Sequence, residues 1–193
     1  MHRANGLDTQ TPGGRNYTGA GIGVMVRDDG TIGPHIDFEG RLDNRNTAQF
    51  DPTLNHGDGV AGVMAGAGNL DPSMRGMAAG ADIFNADRFE SFLNFEVTSL
   101  FNDDIVQITN TSSGPRCFND YLMDAVIVDQ QSNEIPSLLH VFSAGNENGS
   151  DCGYGAGDQW GNHGGADKRA KNIIAVGNVI FDGTIVGLSL IHI

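Results

Sequence analysis

Positive charge is scarce in this sequence. Its 193 residues carry 11 lysines and arginines against 24 aspartates and glutamates, a formal net charge of −13. Nucleic acids and anionic membrane surfaces are held by basic patches, so neither is an expected partner. Solubility in water or brine accounts for the acidity, with carboxylate-rich calcium loops as the alternative. No apolar run reaches the length that crosses a bilayer, and no internal repeat is evident. The opening MHRANGLDTQTPGGRN is polar and shows no signal peptide; for a secreted protein the true N-terminus is expected upstream. Cysteine is limited to Cys117 and Cys152. That is compatible with one disulfide or two free thiols and says little about the compartment.

What is present fits one soluble domain with a real core: 39% hydrophobic and 18% charged residues. The 28 glycines follow no period, which points to tight turns and close backbone approaches. Residues 1–16 read as a lead-in segment, 17–185 as the domain, and 186–193 as a non-native tail. Short apolar runs bounded by Gly, Asp and Asn predict strands at 21–26, 81–86, 105–110, 138–146 and 172–179. Helices are predicted at 57–67, 90–101 and 121–131, the last with Leu122, Val126 and Ile127 as its apolar stripe. The long segment between the first strand and the first helix reads as loop. Strand and helix in alternation predict an α/β fold, a parallel doubly wound sheet with helices on both faces. Sites in such sheets lie at the carboxyl ends of strands.

Three polar residues stand at such ends or at a helix mouth. Asp28 follows the first strand, His56 opens a helix of small residues, and Asn146 follows the fourth strand. An aspartate can hold an imidazole in one tautomer and stabilise its protonated form, and the imidazole can then take a proton from a hydroxyl. An asparagine amide can donate to a developing oxyanion. Gly59, Ala61, Gly62 and Ala65 are expected to let the helix lie close to the sheet so that His56 reaches Asp28. A nucleotide-binding domain is disfavoured, because GAGIG at 19–23 precedes its strand instead of following it.

These residues sit in stretches that together resemble the subtilisin-like serine peptidases, the subtilases. VMVRDDG at 24–30 resembles the family's strand-Asp-x-Gly, HGDGVAG at 56–62 its His-Gly-x-x-Val-Ala-Gly, and SAGN at 143–146 its Ala-Gly-Asn. HIDFEGR at 35–41, RGMAAGA at 75–81, NTSSG at 110–114 and NIIAVGNV at 172–179 supply further matches in the family's order. The resemblance implies Asp28 as the catalytic aspartate, with Asp29 as the fallback and a turn or cap role for whichever is not used. It implies His56 as general base and Asn146 as oxyanion donor. Ser112, Ser113 and Gly114, with Ala144 and Gly145, would line the P1 pocket. Ser113 stands where leucine is common, which leaves the P1 preference open. Asp58 departs from the family pattern; helix stabilisation is the preferred reading, with an influence on His56 as the alternative. The family places the loops carrying Cys117 and Cys152 beside the P1 pocket, so the resemblance implies a disulfide between them and an oxidising compartment. It also implies a structural calcium near Asp37, Asn69 and Asp71. No cofactor is required for catalysis.

The family's nucleophile motif, Gly-Thr-Ser-x-Ala, does not occur in these 193 residues; the pair Gly183-Thr184 is followed by Ile185. The resemblance therefore implies a secreted, monomeric endopeptidase of proteins or peptides, in a chain truncated before the catalytic serine and inactive as it stands. The competing expectation is a pseudo-peptidase that binds peptides without cleaving them.

Overall fold

The computed structural model describes Leu7 and residues 14–46, 53–114, 117, 120–146, 151–153 and 166–177. The lead-in segment 1–16 lies largely outside the described residues; the tail 186–193 and the pair Gly183-Thr184 lie wholly outside them. In chain order the elements are β1 (Gly23–Asp28), β2 (Leu42–Asn46), α1 (His56–Ala65), β3 (Asp82–Asp87), α2 (Phe95–Asn102), β4 (Ile108–Thr111), α3 (Met123–Glu134), β5 (Leu139–Ser143) and β6 (Ile174–Val176). Short 3-10 turns stand at Ile36–Phe38, Pro72–Met74 and Asp167–Arg169. The chain divides into two units, Met1–Asp87 and Arg88–His192.

In the first unit β3 pairs in parallel with β1 on one side and with β2 on the other. Val24, Met25 and Val26 of β1 are all buried, the continuous apolar run expected of a parallel strand covered on both faces. β2 was not foreseen. Its sequence, LDNRN, has no apolar alternation, and it is recruited by β3 with a register shift between Asp43 and Asn46. The helix α1 packs against β1 and β3, with Val60, Ala61 and Ala65 buried. The small residues do not all serve that packing. Gly59 and Gly62 line an open cleft of about 760 Å³ with Val63, Met74 and Met77. At 3.6 residues per turn they fall off the stripe marked by Ala61 and Ala65. The glycine that permits close approach is Gly57, where a Cβ would lie 3.0 Å from the Asp29 carbonyl oxygen.

Arg41 ties this unit together. Its guanidinium donates to the Ala81 carbonyl (2.7 Å), to the Ala65 carbonyl (2.9 Å) and to the Asp37 carbonyl. One side chain thereby satisfies the end of α1, the entry to β3 and a 3-10 turn.

In the second unit β5 pairs in parallel with β4 and with β6. Every described pairing is thus parallel, and helices alternate with strands along the chain: a parallel α/β architecture. Phe92, Phe101 and Phe142 surround the buried His140 ring, with Phe92 4.9 Å from it centroid to centroid. His140 Nδ1 meets Thr109 Oγ1 at 2.8 Å, so this histidine is part of the core. α2 starts at Phe95, later than expected, because the Asn94 side chain caps it by accepting from Glu96 N–H at 2.9 Å. α3 turns inward a stripe that shares only Ile127 with the one expected. Ala125, Ile127, Val128 and Gln131 are buried, whereas Val126 is half exposed and Leu122 precedes the helix. Gln131 joins that stripe because its amide donates to the Phe92 carbonyl at 2.7 Å. Cys117 and Cys152 are joined as a disulfide, with Cα atoms 4.8 Å apart.

Replacing Arg41 by Met keeps the stem and removes all three carbonyl bonds. Hydrogen bonds from a charged donor are worth about 1.5–3 kcal/mol each and do not add fully. Arg41→Met is expected to lower unfolding free energy by about 3 kcal/mol in urea titration; a loss below about 0.5 kcal/mol would show the bonds to be solvent-equivalent.

Candidate active site

Asp28 is the last residue of β1 and His56 the first residue of α1. Asp28 Oδ1 lies 2.7 Å from His56 Nδ1. The aspartate side chain is 1% exposed and the imidazole 38%, so the carboxylate is shut in while the ring still reaches solvent. Asp28 Oδ1 also accepts from the Asp29 backbone N–H at 2.8 Å. Its second oxygen is buried with no hydrogen-bond partner among the described residues. Burial pushes the Asp28 carboxyl above the ordinary aspartate range, outweighing the opposing effect of the bonds from His56 and Asp29. Because an ionised carboxylate only accepts, the proton on the shared bond belongs to His56 Nδ1. Nε2 is then the ring's acceptor.

Asp29 answers a different need. The residue preceding α1, Asn55, makes no side-chain capping bond. Asp29 Oδ1 supplies the missing acceptor from the neighbouring loop, taking Gly57 N–H at 3.0 Å. The two consecutive carboxylates therefore divide the work, one gripping the imidazole and the other the helix end. One oxygen of each carboxylate and a ring nitrogen of His56 lie within 4.8 Å of one another; Asp28 Oδ1, Asp29 Oδ1 and His56 Nδ1 are the atoms engaged in the bonds just described.

Asp58, in the first turn of α1, accepts from Gly33 N–H at 2.6 Å. It ties the loop after β1 to the helix, a role beyond the dipole stabilisation expected. Two further residues anchor that loop and went unnoticed in the sequence. Asn44 accepts from Ile32 N–H and donates to the Ile32 carbonyl. Asn85, buried in β3, donates to the Gly30 carbonyl at 3.0 Å and to Asn44 Oδ1 at 3.1 Å. The available signal was a lone asparagine inside the apolar run DIFNAD.

The remaining expected residues lie in the second unit. Ser112, Ser113 and Gly114 follow β4, and Ala144, Gly145 and Asn146 follow β5. Since β4 and β5 are parallel neighbours with Thr111 opposite Phe142, the two segments leave the carboxyl ends of these strands side by side. Asn110 donates to Ser112 Oγ at 2.9 Å. Gly114 (φ 154°) and Gly145 (φ 117°) occupy backbone conformations that side chains rarely adopt. Asn146 is exposed.

In the neighbourhood expected to hold calcium, Asp37 and Asn69 do meet: Asp37 Oδ1 accepts from Asn69 N–H at 2.7 Å, and Asn69 Nδ2 donates to the Ile36 carbonyl. Asp71 caps its own 3-10 turn through Ser73 N–H at 2.9 Å. Asp37 Oδ1, Asn69 Nδ2 and Asp71 Oδ1 are the atoms engaged in these bonds.

The sequence profile of the subtilase family matches residues 19–190. The comparison with curated proteins found no match. Among solved structures, a mutant of the protease domain of PatA shares 18% identity at TM-score 0.65, over 89% of this chain and 63% of that one. The prenylagaramide maturation protease PagA shares 18% at TM-score 0.58, over 87% and 57%. Fervidolysin from Fervidobacterium pennivorans, described as a keratinolytic enzyme related to subtilisin, shares 22% at TM-score 0.50, over 68% and 22%. These likenesses concern the fold, and this chain spans only 57–63% of the length of the first two.

Two outcomes follow from the carboxylate pair. Asp29→Ala should destabilise the protein by about 1 kcal/mol in denaturant unfolding, the usual worth of a lost cap; no change would remove the capping role. For Asp28 the folded pKa lies above the unfolded one, so the folded state binds the extra proton in the window between them. Stability is then lost as pH rises through that window. Measured against Asp28→Asn, the wild-type protein should gain stability as pH falls from 7 toward about 4. A pH-independent difference between the two would contradict the burial argument.

Proposed function

Because the chain belongs to the subtilase family, we propose that it supplies the Asp-His part of a serine endopeptidase, with Asp28 orienting His56 and His56 acting as general base. The observation that carries this reading is the 2.7 Å contact between the buried Asp28 carboxylate and His56 Nδ1. The carboxylate fixes the tautomer, leaving Nε2 to accept the proton of an attacking hydroxyl. As the ring becomes cationic, Asp28 stabilises it. The same proton then goes to the leaving amine. Asn146 is the proposed oxyanion donor through its side-chain amide. Ser112–Gly114 and Ala144–Gly145 are the proposed walls of the P1 pocket.

The substrate is a protein or peptide, and the protein is proposed to work as a secreted monomer; the Cys117–Cys152 disulfide supports an oxidising compartment. Neither nucleic acid nor a membrane span is part of the proposal, and among the described residues no helix is long and apolar enough to cross a membrane. The nucleophile is proposed to come from a Gly-Thr-Ser-x-Ala segment beyond these 193 residues, so this chain by itself is proposed to be inactive. Calcium through Asp37, Asn69 and Asp71 remains a separate proposal and no step depends on it. The second reading, a peptide-binding pseudo-peptidase, rests on the absence of that motif from the sequence.

In the full-length protein, His56→Ala and Asp28→Asn should each lower kcat on peptide substrates by about 10⁴-fold or more. A fluorophosphonate should label a serine outside residues 1–193 and none within them. Labelling at a serine inside this chain would overturn the assignment. Peptide binding without turnover or labelling would favour the pseudo-peptidase.

A further inference from the structure

One cation in the second unit is oddly placed. Lys168 belongs to the 3-10 turn Asp167–Arg169 and is only 7% exposed. The turn is fixed from behind: Asp129 of α3 accepts from Lys171 N–H at 2.7 Å and Asn172 N–H at 2.8 Å. The lysine stem runs against Gly114, where a Cβ would lie 2.7 Å from Lys168 Cε and 3.1 Å from Nζ. The ammonium donates to Ser143 Oγ at 3.3 Å. A single side chain therefore touches the segment after β4 and the last residue of β5, at the strand ends where Ser112–Gly114 and Ala144–Gly145 emerge together.

The ammonium is poorly served there. It carries three donors, and among the described residues the long contact to Ser143 is its one direct hydrogen bond. Burial pushes the lysine below its ordinary range, more than the attraction of neighbouring Asp167 pushes it up. A buried cation with a neutral hydroxyl for its bonding partner is costly unless an anion completes its shell. A carboxylate that reached Nζ would form the stronger, charge-assisted kind of bond.

We propose that Lys168 is a specificity residue of the P1 pocket and selects substrates with aspartate or glutamate at P1. This rests on the peptidase reading of the same strand ends. Glycine at 114 leaves room for the lysine, because a Cβ there would press on Lys168 Cε and the side chain would have to shift. Lys168 also gives a chemical preference to a pocket in which Ser113 left the choice open.

The test uses the full-length protein and a matched series of peptide amides differing only at P1: Glu, Gln, Leu, Ala and Lys. The Glu peptide should exceed its Gln isostere in kcat/KM by about 10- to 100-fold, the worth of one charge-assisted hydrogen bond, with Lys the poorest. Lys168→Gln should collapse the Glu-to-Gln ratio toward unity, and Lys168→Glu should shift preference to the Lys peptide. A wild-type protein that prefers Leu or Ala over Glu, or a ratio untouched by Lys168→Gln, overturns the inference. If no peptide is cleaved and no serine is labelled, the peptidase reading fails instead. Equilibrium affinities for the same Glu and Gln peptides then decide: at least a 10-fold preference for Glu supports Lys168, and equal affinity overturns it.

Discussion

The N-terminus of α1 is held by two consecutive carboxylates at the end of β1, and the candidate catalytic geometry depends on that grip. Asp28 and Asp29 serve the same helix end, one through the His56 ring and the other through the Gly57 amide. The two bonds add to the packing of α1 on β1 and β3. Together they fix both the position of α1 and the rotation of the imidazole, because His56 is itself the first helical residue. Glycine at 57 eases the close approach this requires, since a Cβ there would lie 3.0 Å from the Asp29 carbonyl oxygen. The energetic consequence is a carboxylate whose burial raises its pKa above the ordinary aspartate range. Perturbed carboxylates of this kind cluster at functional sites.

The loop carrying these aspartates is held from three directions. Asp58 pulls Gly33 toward α1, Asn44 of β2 holds both backbone groups of Ile32, and Asn85 of β3 holds Gly30. None of these residues offers obvious chemistry of its own. They satisfy backbone groups that a loop at a strand end would otherwise leave unpaired. In doing so they convert a glycine-containing turn into a rigid mount, which is what electrostatic catalysis asks of its surroundings.

The sequence was most informative where function is written into local spacing. The histidine, the small residues behind it and the strand endings announced a parallel α/β fold with its site at the strand ends. It was least informative where three-dimensional contacts make the choice. Position at the strand end favoured Asp28 over Asp29, but only the His56 ring and the Gly57 amide show what each one holds. β2 has the composition of a loop and becomes a strand because β3 offers an open edge. The inward face of α3 was foreseen only at Ile127; Gln131, a polar residue, joins it by bonding the Phe92 carbonyl. Lys168 carries no motif in the sequence; it is the turn Asp167–Arg169 that places it against Gly114.

That lysine also puts two electrostatic ranges in opposition. The chain's net charge of −13 repels an acidic peptide at long range, while Lys168 would attract its side chain at contact. The two respond differently to salt. Repulsion between exposed charges decays over a Debye length, about 8 Å at physiological ionic strength and about 3 Å at 1 M. A buried ammonium meeting a carboxylate at hydrogen-bond distance is screened far less. Selectivity for a P1 acid would therefore survive conditions that erase the surface field. Encounter with acidic substrates would become easier as salt rises. An acidic surface and an anion-selecting pocket are compatible in one molecule because they act over different distances.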